Sequence, residues 1–130
     1  MNDGDTGIMF GMDIIYIEDD EIEAQIFGLG LSKRGINVLH IPNLDGDHLD
    51  ELSAPDYREA RAVFFDMFIG AVNGMELARL LRERGDQRPF FLITAGENPN
   101  PDMLDQLNMT YLRKPIDFKA VAHSIQAIAQ

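Results

Sequence analysis

Five apolar runs recur along the chain, with polar stretches of helical pattern between them. They are Ile14-Ile15-Tyr16-Ile17, Ile36 to Ile41, Ala62-Val63-Phe64-Phe65, Phe90-Phe91-Leu92-Ile93 and the shorter Tyr111-Leu112. Most are unbroken, as in strands covered on both faces rather than one. Strand and helix patterns alternating five times predict right-handed crossovers and a parallel sheet. The helix signals are local. Asp20 with Glu23 three residues on has the form of a capping box, so the first helix opens there. Ile22, Ile26 and Leu29 form its main apolar stripe, and Gly35 is its expected stop. Gly28 and Gly30 weaken that helix by about 1 kcal/mol each unless something packs closely against them. Pro42 ends the second strand. Leu49 and Leu52 suggest a short helix stopped before Pro55. Asn73 and Glu76 cap a third helix, whose Leu77, Ala78 and Leu81 face inward before Gly85. Asn100-Pro101 opens a fourth, with proline at the first helical position. Asp117 caps a fifth, which buries Phe118, Val121, Ile125 and Ile128. Residues 1–11 read as a polar, flexible tail, and Met12, just before the first strand, could serve as an alternative start. Residues 12–130 form one α/β domain.

The residues at the ends of these runs carry the chemistry. Glu18-Asp19-Asp20 follows the first run, Asp66 the third, Thr94-Ala95 the fourth and Lys114-Pro115 the fifth. In a parallel sheet the carboxyl ends of all strands lie along one edge, so these residues can meet although they are distant in sequence. Two carboxylates about 5 Å apart repel by roughly 3 kcal/mol at an effective dielectric near 20. Three facing one another need a cation or must take up protons. Their hard oxygens suit Mg²⁺, which keeps waters and often shares a phosphate. Taken singly, each acid is read more simply as a helix cap or turn residue, Thr94 as a β-branched strand end and Lys114 as a solvated lysine. Their joint placement favours the metal reading, and Pro115 constrains the backbone that carries the ammonium.

Length and composition fit that picture. The chain has 130 residues, enough for one core and too few for two. Cysteine is absent, which excludes disulfides, thiolate metal sites and cysteine nucleophiles. No apolar run approaches the ~20 residues of a membrane span, and no signal peptide is visible, so a cytoplasmic protein is expected. The formal charge is -11, from 11 basic and 22 acidic residues. Direct nucleic-acid binding needs a basic face. The cluster Arg79, Arg82, Arg84 is interrupted by Glu76 and Glu83, so such binding is discounted. His40, His48 and His123 lack metal-ligand spacing, and His40 is expected on an edge strand.

Four motifs in order resemble the response-regulator receiver domain of bacterial two-component signalling, over essentially all of residues 12–130. They are Tyr16-Ile17-Glu18-Asp19-Asp20-Glu21, Phe64-Phe65-Asp66 with Gly74-Met75-Glu76-Leu77 beginning eight residues past Asp66, Ile93-Thr94-Ala95, and Arg113-Lys114-Pro115. The resemblance implies a flavodoxin-like five-stranded parallel sheet of order 2-1-3-4-5 flanked by five helices. It implies that Asp66 accepts a phosphoryl group from a histidine kinase or phosphotransfer protein. Asp19 would then bind Mg²⁺ directly and Glu18 through water, with Asp66 and the Phe68 carbonyl completing the ligands. Asp20 falls outside the acid pair and serves as the cap. Thr94, with the Ala95 N–H nearby, and Lys114 would take phosphoryl oxygens, and the Lys114–Pro115 peptide would be cis. Tyr111 stands where the family often has a switch aromatic that turns inward behind Thr94; its alternative role is a half-buried strand tyrosine. Phosphorylation would bias a surface around the fourth helix, fifth strand and fifth helix. The expected protein is a stand-alone switch or phosphorelay intermediate that docks on a downstream protein, with homodimerisation open.

The sequence departs from the family after Asp66. Met67-Phe68-Ile69-Gly70 has glycine where proline is usual, and Phe68 can shield the acyl phosphate. Slow self-dephosphorylation is therefore expected, and a lifetime unchanged by Phe68→Asn would remove that idea. The acidic stretch from Asp45 to Glu51 is unusual and has no physical account. Two rival functions are a constitutive binding module that does not use phosphorylation and a phosphatase with Asp66 as nucleophile. The intact acids, Thr94 and Lys114 argue against the first. Phe68, where such enzymes place a second aspartate, argues against the second.

Overall fold

The computed structural model describes residues 13–128 except Asp45 and Glu97. The expected tail at residues 1–11 lies outside them. Five strands form one parallel sheet: β1 (Asp13–Ile17), β2 (Asn37–Ile41), β3 (Val63–Asp66), β4 (Phe90–Thr94) and β5 (Met109–Arg113), in the order β2-β1-β3-β4-β5. The registers tie Ile15 to Leu39 and Val63, Asp66 to Ile93, and Thr94 to Arg113. This is the doubly wound, flavodoxin-like arrangement, with β1 and β3 at its switch point.

Strand side chains alternate between faces, and both faces are covered, which is why the runs are apolar throughout. Ile15, Ile17, Phe65 and Leu92 pack under α2 (Gly74–Glu83) and α3 (Pro101–Leu107). Ile14, Tyr16, Phe64 and Ile93 pack under α1 (Glu21–Ser32) and α4 (Phe118–Ile128). Phe64 stacks on Phe91 with ring centroids 4.5 Å apart, crossing from β3 to β4.

The helix starts follow the expected caps at Asp20, Asn73, Asn100 and Asp117, whereas Glu76, expected to cap beside Asn73, pairs with Arg79 instead. Asp20 accepts from the N–H groups of Ile22 and Glu23 at 2.9 and 3.1 Å. Asn73 caps α2, Asn100 caps α3 with Pro101 behind it, and Asp117 accepts from Ala120 N–H at the start of α4. Gly35 and Gly85 follow α1 and α2 with φ of 80° and 96°, the left-handed region that glycine enters freely. The last helix buries Val121 and Ile125 fully, while Phe118 and Ile128 are half-buried.

Two expectations are corrected. The second flanking element, Gly46–Ser53, is 3₁₀ rather than α-helical and is kinked at His48. Leu49 and Leu52 are both buried there, and a three-residue repeat puts residues three apart on one face. The stripe on α1 points the other way. Ile22, Ile26 and Leu29 are 69%, 56% and 64% exposed, and Ala24, Phe27 and Leu31 are buried instead. Shape decides this. Phe27 fits among Tyr16, Phe64 and Phe118, with ring centroids 4.4, 5.4 and 6.1 Å away. A Cβ on Gly30 would stand 2.6 Å from the Phe118 ring, so that glycine is what lets α1 lie close to α4.

The arginines of α2 serve the fold. Arg79 pairs with Glu76 and Glu83. Arg82 lies over the Phe90 ring at 3.6 Å and donates to the carbonyls of Leu107, Asp86 and Arg88, each at 2.8 Å. No helix among the described residues is long and apolar enough to cross a membrane.

Candidate functional site

Parallel pairing brings the strand ends to one edge. β1 stops one residue before Glu18, β3 ends on Asp66, β4 ends on Thr94 and β5 stops one residue before Lys114. The Lys114 N–H donates to the Thr94 carbonyl at 2.8 Å, so β5 carries its lysine to the same level. The Lys114–Pro115 peptide is cis, as the resemblance implies.

Asp66 is the centre. Its side chain is only 15% exposed, and Lys114 Nζ stands 3.2 Å from Oδ1. That approach makes an ion pair but is not aligned as a hydrogen bond, and Oδ1 is buried without a hydrogen-bond partner. Burial raises the Asp66 carboxyl above its ordinary range, and Lys114 and the Phe68 N–H offset this only in part. Gly74 explains the spacing after Asp66. Its N–H donates to the Met67 carbonyl at 2.8 Å, and a Cβ there would fall 2.1 Å from the Asp66 carbonyl oxygen. Only glycine fits.

The acid pair is unequal. Glu18 is 1% exposed. Burial, reinforced by the Asp66 charge, pushes its carboxyl from 4.5 up to about 7. The Tyr16 hydroxyl donates to Glu18 Oε1 at 3.4 Å. Burial and then Glu18 hold that phenol far above its usual range, so it remains a donor. Asp19 is exposed at the rim, hydrogen-bonded to Glu18, with Oδ2 facing the turn at Gly70. Gly70 has φ of 60° and closes a small hairpin of Phe68–Ile69 on Val72–Asn73. Phe68 itself is 55% exposed. Among the described residues, no three carboxylates or imidazoles gather into a cluster that could hold a metal unaided. What the site does offer is the hard oxygens of a buried Glu18 beside Asp19, and one unmet oxygen on Asp66. That donor chemistry fits Mg²⁺, which needs few protein ligands because it keeps its waters.

Thr94 is 1% exposed at the end of β4. Tyr111 lies on β5, 41% exposed. Arg113 donates to the Gly96 carbonyl at 3.0 Å and to Asn98 Oδ1 at 3.1 Å, latching the loop that follows Thr94.

Two neighbours escaped the sequence reading. Glu23, expected to complete a capping box, reaches Lys114 instead: Nζ donates to Oε1 at 2.5 Å. Burial pulls the ammonium down, but Glu23 and Asp66 outweigh it and hold Lys114 above its usual value. His40 does lie on the edge strand β2, but its Nε2 is 2.6 Å from the Glu18 carbonyl, a contact across strands that spacing could not reveal. Beside Lys114 a cleft of about 270 Å³ opens between α1 and the loop into α4, walled by Ile26, Phe27, Ile116 and Phe118.

No family model matches the chain. Curated relatives do. The chain is 28% identical over 117 residues to the uncharacterized transcriptional regulatory protein YkoG of Bacillus subtilis, covering 88% of this chain and 49% of that protein. It is 29% identical over 119 residues to the response regulator MprA of Mycobacterium leprae, covering 90% and 50%. The chain thus spans about half the length of these relatives. Among solved structures, the CheY-like response regulator receiver domain from Methylobacillus flagellatus superposes with a TM-score of 0.72 at 25% identity, covering 90% of this chain and 98% of that one. The Francisella response regulator 1452 receiver domain gives a TM-score of 0.75 at 18% identity, covering 91% and 96%. Sequence relatives that are named regulators and solved structures that are receiver domains agree, and the chain is similar to response-regulator receiver domains in both sequence and fold.

Proposed function

We propose that the domain takes a phosphoryl group onto Asp66 from a histidine kinase or histidine phosphotransfer protein and uses it to switch a protein-interaction surface. The observation that carries this reading is the Asp66 carboxylate itself. It is recessed at the sheet edge, has one unmet oxygen, and stands 3.2 Å from an ammonium. In the reaction an Asp66 oxygen attacks phosphorus while the P–N bond of the donor phosphohistidine breaks and the imidazole leaves with the electron pair. The product is an acyl phosphate, and water can later return it to the carboxylate.

This chain's residues would prepare that step by placing charge. The transferring group spreads negative charge over its equatorial oxygens. Lys114 supplies a cation to one of them, and the Thr94 hydroxyl with the Ala95 N–H supplies donors to another. Asp66 and Asp19 would hold Mg²⁺ directly, Glu18 through water, and the Phe68 carbonyl would complete the protein ligands. When bound, the ion offsets the charge of the acids and of the phosphoryl oxygens. The Gly70 turn keeps bulk away from the Asp19 side of the site.

The switch would run outward from Thr94. Movement of Thr94 toward the phosphoryl group leaves room behind it, and Tyr111, now exposed, turns inward. The face formed by α3, β5 and α4 then changes for a downstream target, or for a second copy of the chain. A cytoplasmic setting goes with that role. Ile22, Ile26 and Leu29 form an exposed stripe on α1, of which Ile26 lines the cleft beside Lys114, and this supports docking of the donor protein there. Intact-mass measurement with acetyl phosphate tests the reading. A gain of one phosphoryl group is expected in Mg²⁺ and not in EDTA. A domain that gains nothing in either buffer would instead be a constitutive binding module.

A further inference from the structure

Glu23 has no part in the reaction as proposed above, yet it makes the shortest contact to Lys114. Its Oε1 is 2.5 Å from Nζ, against 3.2 Å for Asp66 Oδ1. The ammonium is shared unequally between two carboxylates, and the acceptor has the poorer share. Asp66 Oδ1 is left buried with no aligned donor although a lysine stands beside it. Glu23 is free to do this because Asp20 alone satisfies the first N–H groups of α1. Lys114 is 25% exposed and Glu23 is 43% exposed, so the pair is partly shielded from solvent but able to open.

We propose that Glu23 is a positioning residue that restrains Lys114 in the unphosphorylated domain. The ammonium is drawn toward α1 and away from Asp66. A phosphoryl group on Asp66 must win the lysine from Glu23 before its oxygens are neutralised. No bond is made or broken in this exchange; one ion pair replaces another. Glu23 also adds a negative charge beside the acceptor, which opposes an incoming dianion in the same sense. Together they set a threshold for occupancy of Asp66. Release from Lys114 also leaves the Glu23 side chain unpaired at the wall of the cleft between Ile26 and Ile116.

The inference rests on Asp66 being the phosphoacceptor, and the experiment separates the two claims. The full chain and its Glu23→Gln, Glu23→Asp and Asp66→Asn variants are compared in Mg²⁺. Two probes are used: acetyl phosphate, followed by intact mass, and beryllofluoride, whose affinity is measured by calorimetry. Glu23→Gln keeps the shape and removes the charge. It is expected to raise both the rate of phosphorylation and the beryllofluoride affinity by about fivefold, the upper range for a half-exposed ion pair. Glu23→Asp keeps the charge but shortens the reach. It is expected to fall between wild type and the glutamine variant. Thermal melting of the unphosphorylated protein provides the control, because a merely structural tie between α1 and the loop into α4 would lower the melting temperature without changing affinity. Equal or slower phosphorylation of Glu23→Gln, with Asp66→Asn inert, overturns the restraint and leaves the acceptor intact. Modification of Asp66→Asn at the wild-type rate overturns the acceptor itself.

Discussion

A carboxylate that is 1% exposed beside a second acid makes stability depend on pH. Glu18 titrates near 7 in the folded domain against 4.5 for the free side chain, so between those values the native state binds more protons than the unfolded one. Its effect is absent below about pH 4.5 and grows as pH rises to about 7, where the folded domain has lost on the order of 2–3 kcal/mol. In EDTA the melting temperature should fall from pH 5 to pH 8, and Glu18→Gln should remove most of that fall. An unchanged slope in the variant would show that other groups cause it. Added Mg²⁺ should restore stability at pH 8 in the wild type and much less in Glu18→Gln. Gly74 gives a second residue-scale expectation. Gly74→Ala sets a methyl 2.1 Å from the Asp66 carbonyl, so about 3 kcal/mol of stability should be lost, measured by urea unfolding, together with phosphorylation. The interval from Asp66 to Gly74 was visible in the sequence, but its cause was not. A backbone collision across a hairpin has no sequence pattern of its own. Glu23 is the opposite case. Three residues after Asp20 it satisfied the local rule for a capping box, and the tertiary partner Lys114, 91 positions away, took it instead.

The lesson at the scale of elements comes from α1. Its caps and its stop were legible because they are local: Asp20 before, Gly35 after. Its rotation was not. Periodicity offers two offset stripes, Ile22-Ile26-Leu29 and Ala24-Phe27-Leu31, and the first is the more uniformly aliphatic. The fold uses the second because a small residue at 24, a ring at 27 and glycine at 30 fit the hollow between β1, β3 and Phe118. The two stripes should therefore respond oppositely to mutation. Phe27→Ala is expected to cost about 3–4 kcal/mol in urea unfolding. Ile26→Ser should change stability by no more than about 0.5 kcal/mol. Under the proposed docking, Ile26→Ser should slow phosphotransfer from a protein donor and leave phosphorylation by acetyl phosphate unchanged. Equal losses with both donors would place the effect in the site rather than at a docking face. The 3₁₀ segment at Gly46–Ser53 teaches the same point, since two leucines three apart do not tell an α turn from a 3₁₀ turn.

On the scale of the molecule, the alternation of runs was enough for a parallel sheet. Periodicity could not set the order of its strands, because every strand is apolar on both sides; that order came from the resemblance. The order matters because it puts β1 beside β3 and so sets Glu18 facing Asp66, while β4 and β5 add Thr94 and Lys114 from the other side. Residues from four separate stretches of sequence thereby build one small charged basin. Among the described residues the acids do not close into a ready-made cage, and Lys114 is already paired with Glu23. Under the proposed function this basin receives a phosphoryl group on Asp66. The most direct test is peptide mapping of the chain after reaction with acetyl phosphate in Mg²⁺, beside Asp66→Asn. The expected result is a single phosphoryl group on the peptide that contains Asp66, absent from the variant. A phosphoryl group on any other residue, or equal labelling of Asp66→Asn, would contradict the account.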